Sequence, residues 1–383
     1  MVPVLRALRN REQIELVVVA TSQHREMLGQ VLQLFGVAPD VDLDIMQPRQ
    51  SLNDIVRRAV EGLDRVLADH APDVLLVQGD TTTAFTAALA AFHRRIPVGH
   101  IEAGLRSYDP DNPYPEEINR RLISQVASIH FTPTELSEKN LLREGIPPEK
   151  ICRTGNTIVD CLLEILRTPS DRLAGYLPPQ FELNGHPVIL VTAHRRENWH
   201  GPMQEICQAL AELARELPEA RILFPVHLNP VVRETVFPIL GNLPNVALTD
   251  PLPYFAFVEA MAGSYLILTD SGGVQEEAPS LGKPVLVLRE TTERPEGLAL
   301  GVAKLVGTRR PAILSAALRL FRDSQEYQRM VGAGNPYGDG RAAERTVQGL
   351  LHYFGRAAKP EPFARRGYSL AQQPAGMVSR ATI

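Results

Sequence analysis

The chain has few cysteines, no long apolar run and no excess of positive charge. Its three cysteines, Cys152, Cys161 and Cys207, lie scattered without CxxC spacing, which argues against a disulfide framework and a zinc cluster. No apolar run approaches the ~18 residues that span a bilayer, and the first residues lack the pattern of a secretory signal. A net charge of −4 provides no basic face for nucleic acid or an anionic membrane. We therefore expect a cytoplasmic protein with neither of these partners.

The composition is that of a globular protein, with 44% hydrophobic and 22% charged residues, and 383 residues suit two domains. Short aliphatic runs recur in two sets, each run followed by a turn and a segment of helical period. This pattern predicts buried parallel strands in two doubly wound α/β domains. The predicted strands are Leu16–Ala20, Val74–Val77, Pro97–Ile101, Ser128–Phe131, Val188–Val191, Arg221–Val226, Leu266–Thr269 and Pro284–Leu288.

A Pro- and Gly-bearing segment separates the two sets of strands. We assign residues 1–165 to an N-terminal Rossmann-like domain and 166–340 to a C-terminal one, with a helix at 341–356 that packs back on the first. The polar residues 359–383 are expected to form a disordered tail. The chain opens on a helical pattern, whereas a doubly wound domain usually opens with a strand and a glycine-rich turn. We therefore expect that strand and its loop to be missing, the alternative being a short helical N terminus.

The strongest local signal is the segment TDSGGVQEEA, residues 269–278, in which a buried strand, a Ser-Gly-Gly turn and a helix follow one another. Glycines let backbone approach a ligand closely, and the start of a helix attracts anions, so the segment predicts a cradle for a diphosphate. It lacks the lysine of a P-loop. Glu277 could accept from ribose hydroxyls. The alternatives are an ordinary turn capped by Asp270 or Ser271, and a surface glutamate at 277.

Carboxylates follow two strands of the first domain, where open α/β sheets bind ligands. Asp80 comes after Val74–Val77, although it could simply cap the next helix. Glu102 directly follows a buried strand and therefore needs a partner or a function. Glu116 and Glu117 open a further helix, where one of them could be only a first-turn residue favoured by the helix dipole.

Histidines and arginines follow strands of the second domain. His194, Arg195 and Arg196 come after Val188–Val191, His227 follows the next strand, and Arg294 follows a later one. One histidine is more often structural, but two at strand ends beside arginines indicate a surface that faces an anion. A solvated loop is the alternative for Arg294.

Together these segments resemble the non-hydrolysing, bacterial-type UDP-N-acetylglucosamine 2-epimerases, which have two Rossmann-like domains facing across a cleft, as in GT-B glycosyltransferases. The resemblance covers nearly the whole chain to about Phe354. It is carried by QGDTTT (78–83), GHIEAGLRS (99–107), PEEINR (115–120), TGNTIVD (154–160), TAHRREN (192–198), PVHLNPVVRE (225–234), LTDSGGVQEEAPSLGKPVLVLRETTERPEG (268–297) and NPYGDG (335–340).

The resemblance implies an isomerase that interconverts UDP-N-acetylglucosamine and UDP-N-acetylmannosamine for polysaccharide precursors. The implied route eliminates UDP to a 2-acetamidoglucal and adds it back, without metal or cofactor, as the domains close at a hinge. The implied catalytic residues are Asp80, Glu102, Glu116 and His194, with base and acid left unassigned among the carboxylates. The implied nucleotide contacts are Phe257, Ser271, Gly272, Gly273, Glu277 and Arg294.

The family further implies a homodimer and a second UDP-N-acetylglucosamine that binds as an allosteric activator. The corresponding positions are Gln23, Arg49, Gln50, Glu116, Arg195 or Arg196, and His227. Glu26 stands where a glutamine is expected, which weakens the activator assignment. Leu252 also stands where a glutamine is expected, so one nucleotide contact there is expected to be replaced or lost. An arginine and a lysine of the family's opening loop would precede residue 1, which we interpret as a start assigned at an internal methionine.

Three other functions remain open from the sequence. A GT-B glycosyltransferase would share the fold and the nucleotide site, although it would need an acceptor. A hydrolysing epimerase would release free UDP. An inactive paralogue lacking the opening loop would bind the nucleotide sugar and convert nothing.

Overall fold

The computed structural model describes residues 1–22, 32, 35–47, 49–167, 173–179, 181–183 and 185–364. The chain divides into two compact units. The first unit comprises Met1–Cys161 and Tyr337–Ala364, and the second comprises Leu162–Pro336. Among the described helices, none combines the length and the apolar character needed to cross a membrane.

The first unit is built on a parallel sheet. It opens with helix α1 (Val2–Arg9), in agreement with the helical pattern of the sequence, and with a separate parallel pair, β1 (Val19–Ala20) and β2 (Val41–Asp42). Helices and strands then alternate: α2 (Leu52–His70), β3 (Leu75–Gln78), α3 (Thr82–His93), β4 (Val98–Ile101), α4 (Glu116–Val126), β5 (Ile129–Thr132), α5 (Glu135–Arg143) and β6 (Ile151–Arg153). Strands β3 to β6 pair in sequential order, so their carboxyl ends share one edge.

Hydroxyl side chains start the helices that follow this edge. Thr81 accepts a hydrogen bond from the backbone N–H of Ala84 at 3.2 Å and thereby caps α3, and Thr134 caps α5 in the same way. The alternative of Asp80 as the cap of α3 is therefore wrong, and its carboxylate is available for another role.

A late segment of the chain completes the first unit. Helix α14 (Ala342–Tyr353) begins with two backbone N–H groups that donate to the carboxylate of Asp160, at 3.1 and 2.8 Å. Its Val347 and Leu350 share an apolar cluster with Leu8 of α1 and Phe131 of β5. The helix thus covers the sheet beside α1.

The segment after α14 runs along β6. The backbone N–H of Phe363 donates to the carbonyl oxygen of Arg153 at 2.8 Å, and the Phe363 side chain is buried. The expected tail began at residue 359, whereas packed chain continues to Ala364. Residues 365–383 lie outside the described residues.

The second unit contains a six-stranded parallel sheet. Helix α6 (Thr157–Arg167) leads into it, and its elements are β7 (Val188–Thr192), α7 (Gly201–Glu216), β8 (Arg221–Pro225), α8 (Pro230–Leu240), β9 (Val246–Thr249), α9 (Tyr254–Gly263), β10 (Leu266–Thr269), α10 (Gly272–Glu277), β11 (Val285–Val287), α11 (Pro295–Leu300), β12 (Ala303–Leu305), α12 (Arg310–Arg322) and α13 (Ser324–Gly332). The strand order is β12-β11-β10-β7-β8-β9. The predicted doubly wound α/β architecture is confirmed for the two units.

Both faces of this sheet are buried. Ile189 and Val191 of β7 enter one apolar cluster, whereas Val188 and Leu190 enter another, as the two-residue period of a strand requires. Residues buried on both faces explain why the strands appear in the sequence as continuous aliphatic runs. The chain order reverses between β7 and β10, and such a switch point opens a crevice for ligands at the carboxyl ends.

The predicted strands correspond to β1, β3, β4, β5, β7, β8, β10 and β11, although the first is only Val19–Ala20. Strands β2, β6, β9 and β12 were not predicted. Three of them contain a charged residue, Asp42, Arg153 or Lys304, which interrupts the aliphatic run that predicts a buried strand.

Candidate active site

The predicted carboxylates of the first unit lie at the shared sheet edge. Gly79, directly after β3, has a φ of +72°, and a Cβ there would lie 3.6 Å from Oε2 of Glu102. The same oxygen lies 3.4 Å from the amide nitrogen of Gln78, which donates to it. The turn that carries Asp80 and the carboxylate of Glu102 are therefore adjacent.

Glu102 has an unusual backbone conformation. Its φ of +67° lies in the left-handed region, which costs a residue other than glycine roughly 1 kcal/mol or more. Such strain is retained where the surrounding structure requires it, and it often marks a functional position. The turn after β4 thus presents a glutamate at a conformational cost.

Helix α4 holds Asp80 in place. The guanidinium of Arg120 is hydrogen-bonded to the Asp80 carboxylate, and the Asn119 amide donates to the Asp80 backbone oxygen at 3.0 Å. Arg120 is nearly buried, while Asp80 keeps about a quarter of its side-chain surface exposed (25%). One end of this ion pair is therefore fixed and the other is reachable.

The two glutamates that open α4 have different surroundings. Glu117 is fully buried, accepts the backbone N–H groups of Ser107 and Tyr108 at 3.0 and 3.1 Å, and lies 3.3 Å from Arg120. Glu116 is half-buried. Glu117 consequently anchors the loop before α4, and Glu116 remains the catalytic candidate of the pair.

A buried histidine, His100, contacts the turn that contains Gly79 and Asp80. His100 of β4 lies with Nε2 2.8 Å from the carbonyl oxygen of Gly79. Burial lowers the pKa of His100 to about 4, and burial likewise lowers the pKa of its neighbour His130 to about 3. Both rings are therefore neutral at pH 7, and His100 donates through Nε2–H to the turn.

In the second unit, His194 and Asp270 meet where the strand order reverses. Asp270 follows β10 with its side chain fully buried, and Oδ2 accepts the backbone N–H groups of His194 and Arg195 at 2.8 and 2.9 Å. Nδ1 of His194 lies 3.2 Å from Oδ1. Burial would raise the pKa of Asp270, but these contacts outweigh it and hold that pKa below its usual value. Asp270 is thus an anion that organises the turn after β7 and does not cap α10.

The glycine turn lies among charged side chains. A Cβ on Gly272 would lie 3.1 Å from Glu293 Oε1, 3.7 Å from an Arg195 nitrogen and 3.9 Å from an Arg294 nitrogen. Among the described residues, no backbone N–H of α10 donates a capping hydrogen bond to the Ser271 hydroxyl. Two arginines and an available hydroxyl beside a glycine suit an oxyanion such as a phosphate.

Carboxylates hold these arginines. Glu293 pairs with Arg195 at 3.2 Å and with buried Arg289 at 2.7 Å, and Arg294 is hydrogen-bonded to Glu276. Burial alone would raise the pKa of Glu293, but the charges of three arginines lower it to about 2. The loop that contains Arg294 is therefore fixed by ion pairs, contrary to the alternative of a solvated loop.

Glu277 is buried, so the alternative of a surface glutamate is wrong. Tyr254 OH donates to its carboxylate at 2.6 Å. Burial raises the pKa of Glu277 to about 7. Phe257 and Leu252 lie against the same apolar cluster as Tyr254. The predicted nucleotide residues Glu277 and Phe257 thus belong to one neighbourhood at α9 and α10.

The residues predicted for an activator site fall into two groups. His227 stacks on His194 in the second unit, with ring centroids 6.2 Å apart and planes at 18°, and the Arg196 guanidinium lies 6.0 Å from the Trp199 ring. Arg49 and Gln50 lie in the loop before α2 of the first unit, while Gln23 lies outside the described residues. Over the described part of the chain, no group of three or more His, Cys, Asp or Glu side chains could hold a metal ion.

The sequence did not identify several supporting residues: Glu117, Arg120, His100, Asp270, Glu276, Arg289 and Glu293. Most of them are charged residues beside predicted site residues, and one signal was available. Asp270 directly follows a buried strand, as Glu102 does, and the same reasoning would have selected it.

Comparison with known proteins assigns the chain to a family. The family model described as UDP-N-acetylglucosamine 2-epimerase matches residues 6–351. The chain is 52% identical over 357 residues to the UDP-N-acetylglucosamine 2-epimerase of Salmonella typhimurium, covering 92% of this chain and 95% of that protein. It is 51% identical over 354 residues to the enzyme of that name from Escherichia coli strain K12, covering 91% and 94%.

Solved structures give the same result. A UDP-GlcNAc 2-epimerase from Neisseria meningitidis, crystallised with UDP-GlcNAc bound, superposes with a TM-score of 0.86 at 48% identity and covers 92% of this chain and 96% of that one. A UDP-GlcNAc 2-epimerase from Methanocaldococcus jannaschii, in complex with UDP-GlcNAc and UDP, superposes with a TM-score of 0.76 at 32% identity and covers 92% and 95%.

Proposed function

This chain belongs to the UDP-N-acetylglucosamine 2-epimerase family, and we propose that it interconverts UDP-N-acetylglucosamine and UDP-N-acetylmannosamine. The observation that carries the proposal is the family match over residues 6–351, which spans both the carboxylate edge of the first unit and the glycine turn of the second. We place the reaction in the supply of precursors for cell-surface polysaccharide.

The reaction proceeds by elimination and re-addition in this proposal. C2 of the sugar is not adjacent to a carbonyl, so its proton is not removed by simple enolisation. A base takes the C2 proton as the C1–O bond breaks, UDP leaves with the bonding electron pair, and a C1=C2 double bond remains. An acid then protonates C2 from the opposite face and a UDP phosphate oxygen adds to C1. Asp80, Glu102 and Glu116 share the proton transfers.

The second unit holds the nucleotide in this proposal. Arg294 and His194, with the turn at Ser271-Gly272-Gly273, bind the diphosphate and stabilise its charge as UDP departs. Glu277 accepts from the ribose hydroxyls, and Phe257 contacts the uridine. The proximity of Arg294 to Gly272 and the burial of Glu277 support these roles.

We also propose that the activity is regulated through the residues predicted for an activator site. A second UDP-N-acetylglucosamine acts as an activator through Arg195 or Arg196 and His227, together with Gln23, Arg49, Gln50 and Glu116, and the protein works as a homodimer. The stacking of His227 on His194 gives one physical route by which occupancy at His227 reaches a catalytic side chain.

The test is incubation with UDP-N-acetylglucosamine alone in D2O, followed by proton NMR. We expect a mixture of the two epimers with deuterium at C2 of both. Unchanged substrate that turns over only when an acceptor is added would support a glycosyltransferase instead. Free UDP with N-acetylmannosamine would indicate a hydrolysing enzyme. UDP binding in calorimetry without any conversion would indicate an inactive binding protein.

A further inference from the structure

The two carboxylate oxygens of Asp270 have different surroundings. One accepts hydrogen bonds, mainly from backbone N–H groups, and the other faces the ring of His194. Oδ2 accepts three hydrogen bonds, from the backbone N–H groups of His194 and Arg195 and from the Asn198 amide at 2.9 Å. Oδ1 is buried and, within the described chain, accepts no hydrogen bond of good geometry, although Nδ1 of the His194 ring lies within ion-pairing distance at 3.2 Å. A buried carboxylate oxygen needs a donor, and His194 is placed to supply one.

We infer that Asp270 is a positioning residue that keeps the proton of His194 on Nδ1, so that Nε2 is the ring nitrogen presented to the diphosphate. The inference deepens the proposed function and rests on it for the role of His194. An ionised carboxylate only accepts hydrogen bonds, so the nitrogen that faces it must carry the proton. The opposite nitrogen is then free to take up a proton and donate it to the phosphate oxygens of departing UDP.

The surroundings restrain both partners of this pair. Asn198 donates to the Leu288 carbonyl oxygen at 3.1 Å as well as to Asp270, which ties the aspartate to the end of β11. His227 stacks on one face of the His194 ring. The His194 side chain is nevertheless 44% exposed, while that of Asp270 is fully buried. The edge of the ring away from Asp270 is therefore the one that a ligand can reach.

The first test reads the tautomer directly. The full chain is labelled with ¹⁵N-histidine, long-range proton–nitrogen spectra are recorded without ligand, and the His194 signals are assigned by their loss in His194→Gln. We expect Nδ1 to be the protonated nitrogen in the wild type. In Asp270→Asn the amide NH₂ can donate to Nδ1, and the proton should move to Nε2. A wild-type ring protonated on Nε2 alone would overturn the inference, even if Asp270→Asn does not fold.

The second test asks whether Asp270 acts through His194. Asp270→Asn keeps an oxygen for the backbone N–H groups, and we expect kcat to fall about 10²- to 10⁴-fold, as when a histidine is held in the wrong tautomer. In a His194→Gln background the same substitution should lower kcat by less than about twofold, because the residues act as a unit. A full additional loss in that background would show a merely structural role and overturn the inference.

Asp160→Asn is the matched control. Asp160 is half-buried and also accepts two backbone N–H groups, but it lies in the first unit, on α6, and its partners are at the start of α14. We expect it to leave the His194 tautomer unchanged and kcat within about twofold of wild type. The tautomer measurement needs no turnover. An inactive wild-type protein with Nδ1 protonated would thus refute the proposed function and leave the positioning inference standing.

Discussion

The two sheets end in edges of opposite chemistry. At the edge of the first unit, Asp80 and Glu102 are partly accessible carboxylates, and Asp80 is held by the nearly buried Arg120. At the edge of the second unit, Arg195 and Arg294 lie near the glycine turn, and Glu293 and Glu276 pair with them there. The first edge therefore suits proton transfer and the second suits an anion.

The two edges share one principle of construction. In both units a group proposed to meet the ligand is held by a more deeply buried side chain, as Arg120 holds Asp80 and Asp270 holds His194. A buried charge that is paired and hydrogen-bonded fixes its partner without adding a flexible side chain at the surface. We therefore expect the supporting residues to fix geometry and the accessible ones to carry the chemistry, and substitutions can separate the two.

The largest expected effect is on proton transfer at the first edge. Glu102→Gln keeps the shape of the side chain and removes its basicity, so deuterium exchange at C2 should fall about 10³-fold or more. Exchange is followed by NMR with UDP-N-acetylglucosamine in D2O. The control is Glu135→Gln, an exposed carboxylate paired with Lys139 on α5, which should behave as wild type. Exchange at the wild-type rate in Glu102→Gln would remove Glu102 from the mechanism.

A somewhat smaller effect, on the free energy of unfolding, should follow from replacing Arg120, which pairs with both Asp80 and Glu117. Arg120→Met leaves the fully buried Glu117 without its cation, and the free energy of unfolding should fall by about 3 kcal/mol. Urea titration followed by circular dichroism measures it. Arg65→Met removes an exposed i,i+4 pair with Glu61 and should cost less than about 1 kcal/mol. Equal losses in the two variants would mean that burial does not distinguish these ion pairs.

The two carboxylates beside α10 should respond to pH in opposite ways. The folded-state pKa of Glu277 is raised by burial from 4.5 to about 7, so its contribution to stability is fully present below pH 4.5 and is lost as the pH rises through 7. Relative to Glu277→Gln, which does not titrate, the wild type should lose up to about 3 kcal/mol across that range.

The measurement is urea unfolding of both proteins between pH 4.5 and 7.5, with the exposed Glu216→Gln as control. The pKa of Glu293 is lowered from 4.5 to about 2, so its contribution to stability is present above pH 4.5 and is lost as the pH falls through 2; both proteins keep Glu293, so this contribution cancels in their difference. A constant difference between the wild type and Glu277→Gln across the window would show that Glu277 is not held in its neutral form.

The sequence predicted the fold, and it drew attention to accessible residues at the sheet edges more readily than to the residues that hold them. Strands buried on both faces appear as continuous aliphatic runs, and the Ser-Gly-Gly turn is recognisable because glycines between a strand and a helix let backbone approach a ligand. The sequence cannot show which of two adjacent glutamates points inward, because Glu116 and Glu117 have the same chemistry and differ only in packing. It also cannot pair residues distant along the chain, as Arg289 pairs with Glu197. Such contacts arise from tertiary structure alone.

The smallest expected effect concerns Arg294. It tests whether nucleotide binding at the second edge depends on the planar shape of this guanidinium as well as on its charge. Arg294→Lys keeps the charge but loses the planar fork that meets two phosphate oxygens, so UDP affinity in calorimetry should fall about tenfold. Arg322→Lys, at an exposed pair with Glu216, should bind UDP as the wild type does. At saturating substrate, C2 exchange in Arg294→Lys should stay within a few-fold of wild type, because the lysine keeps the positive charge that stabilises departing UDP and the carboxylates are intact. If exchange fell while UDP affinity held, the guanidinium of Arg294 would be needed for proton transfer, and the division between a proton-transfer edge and an anion-binding edge would be wrong.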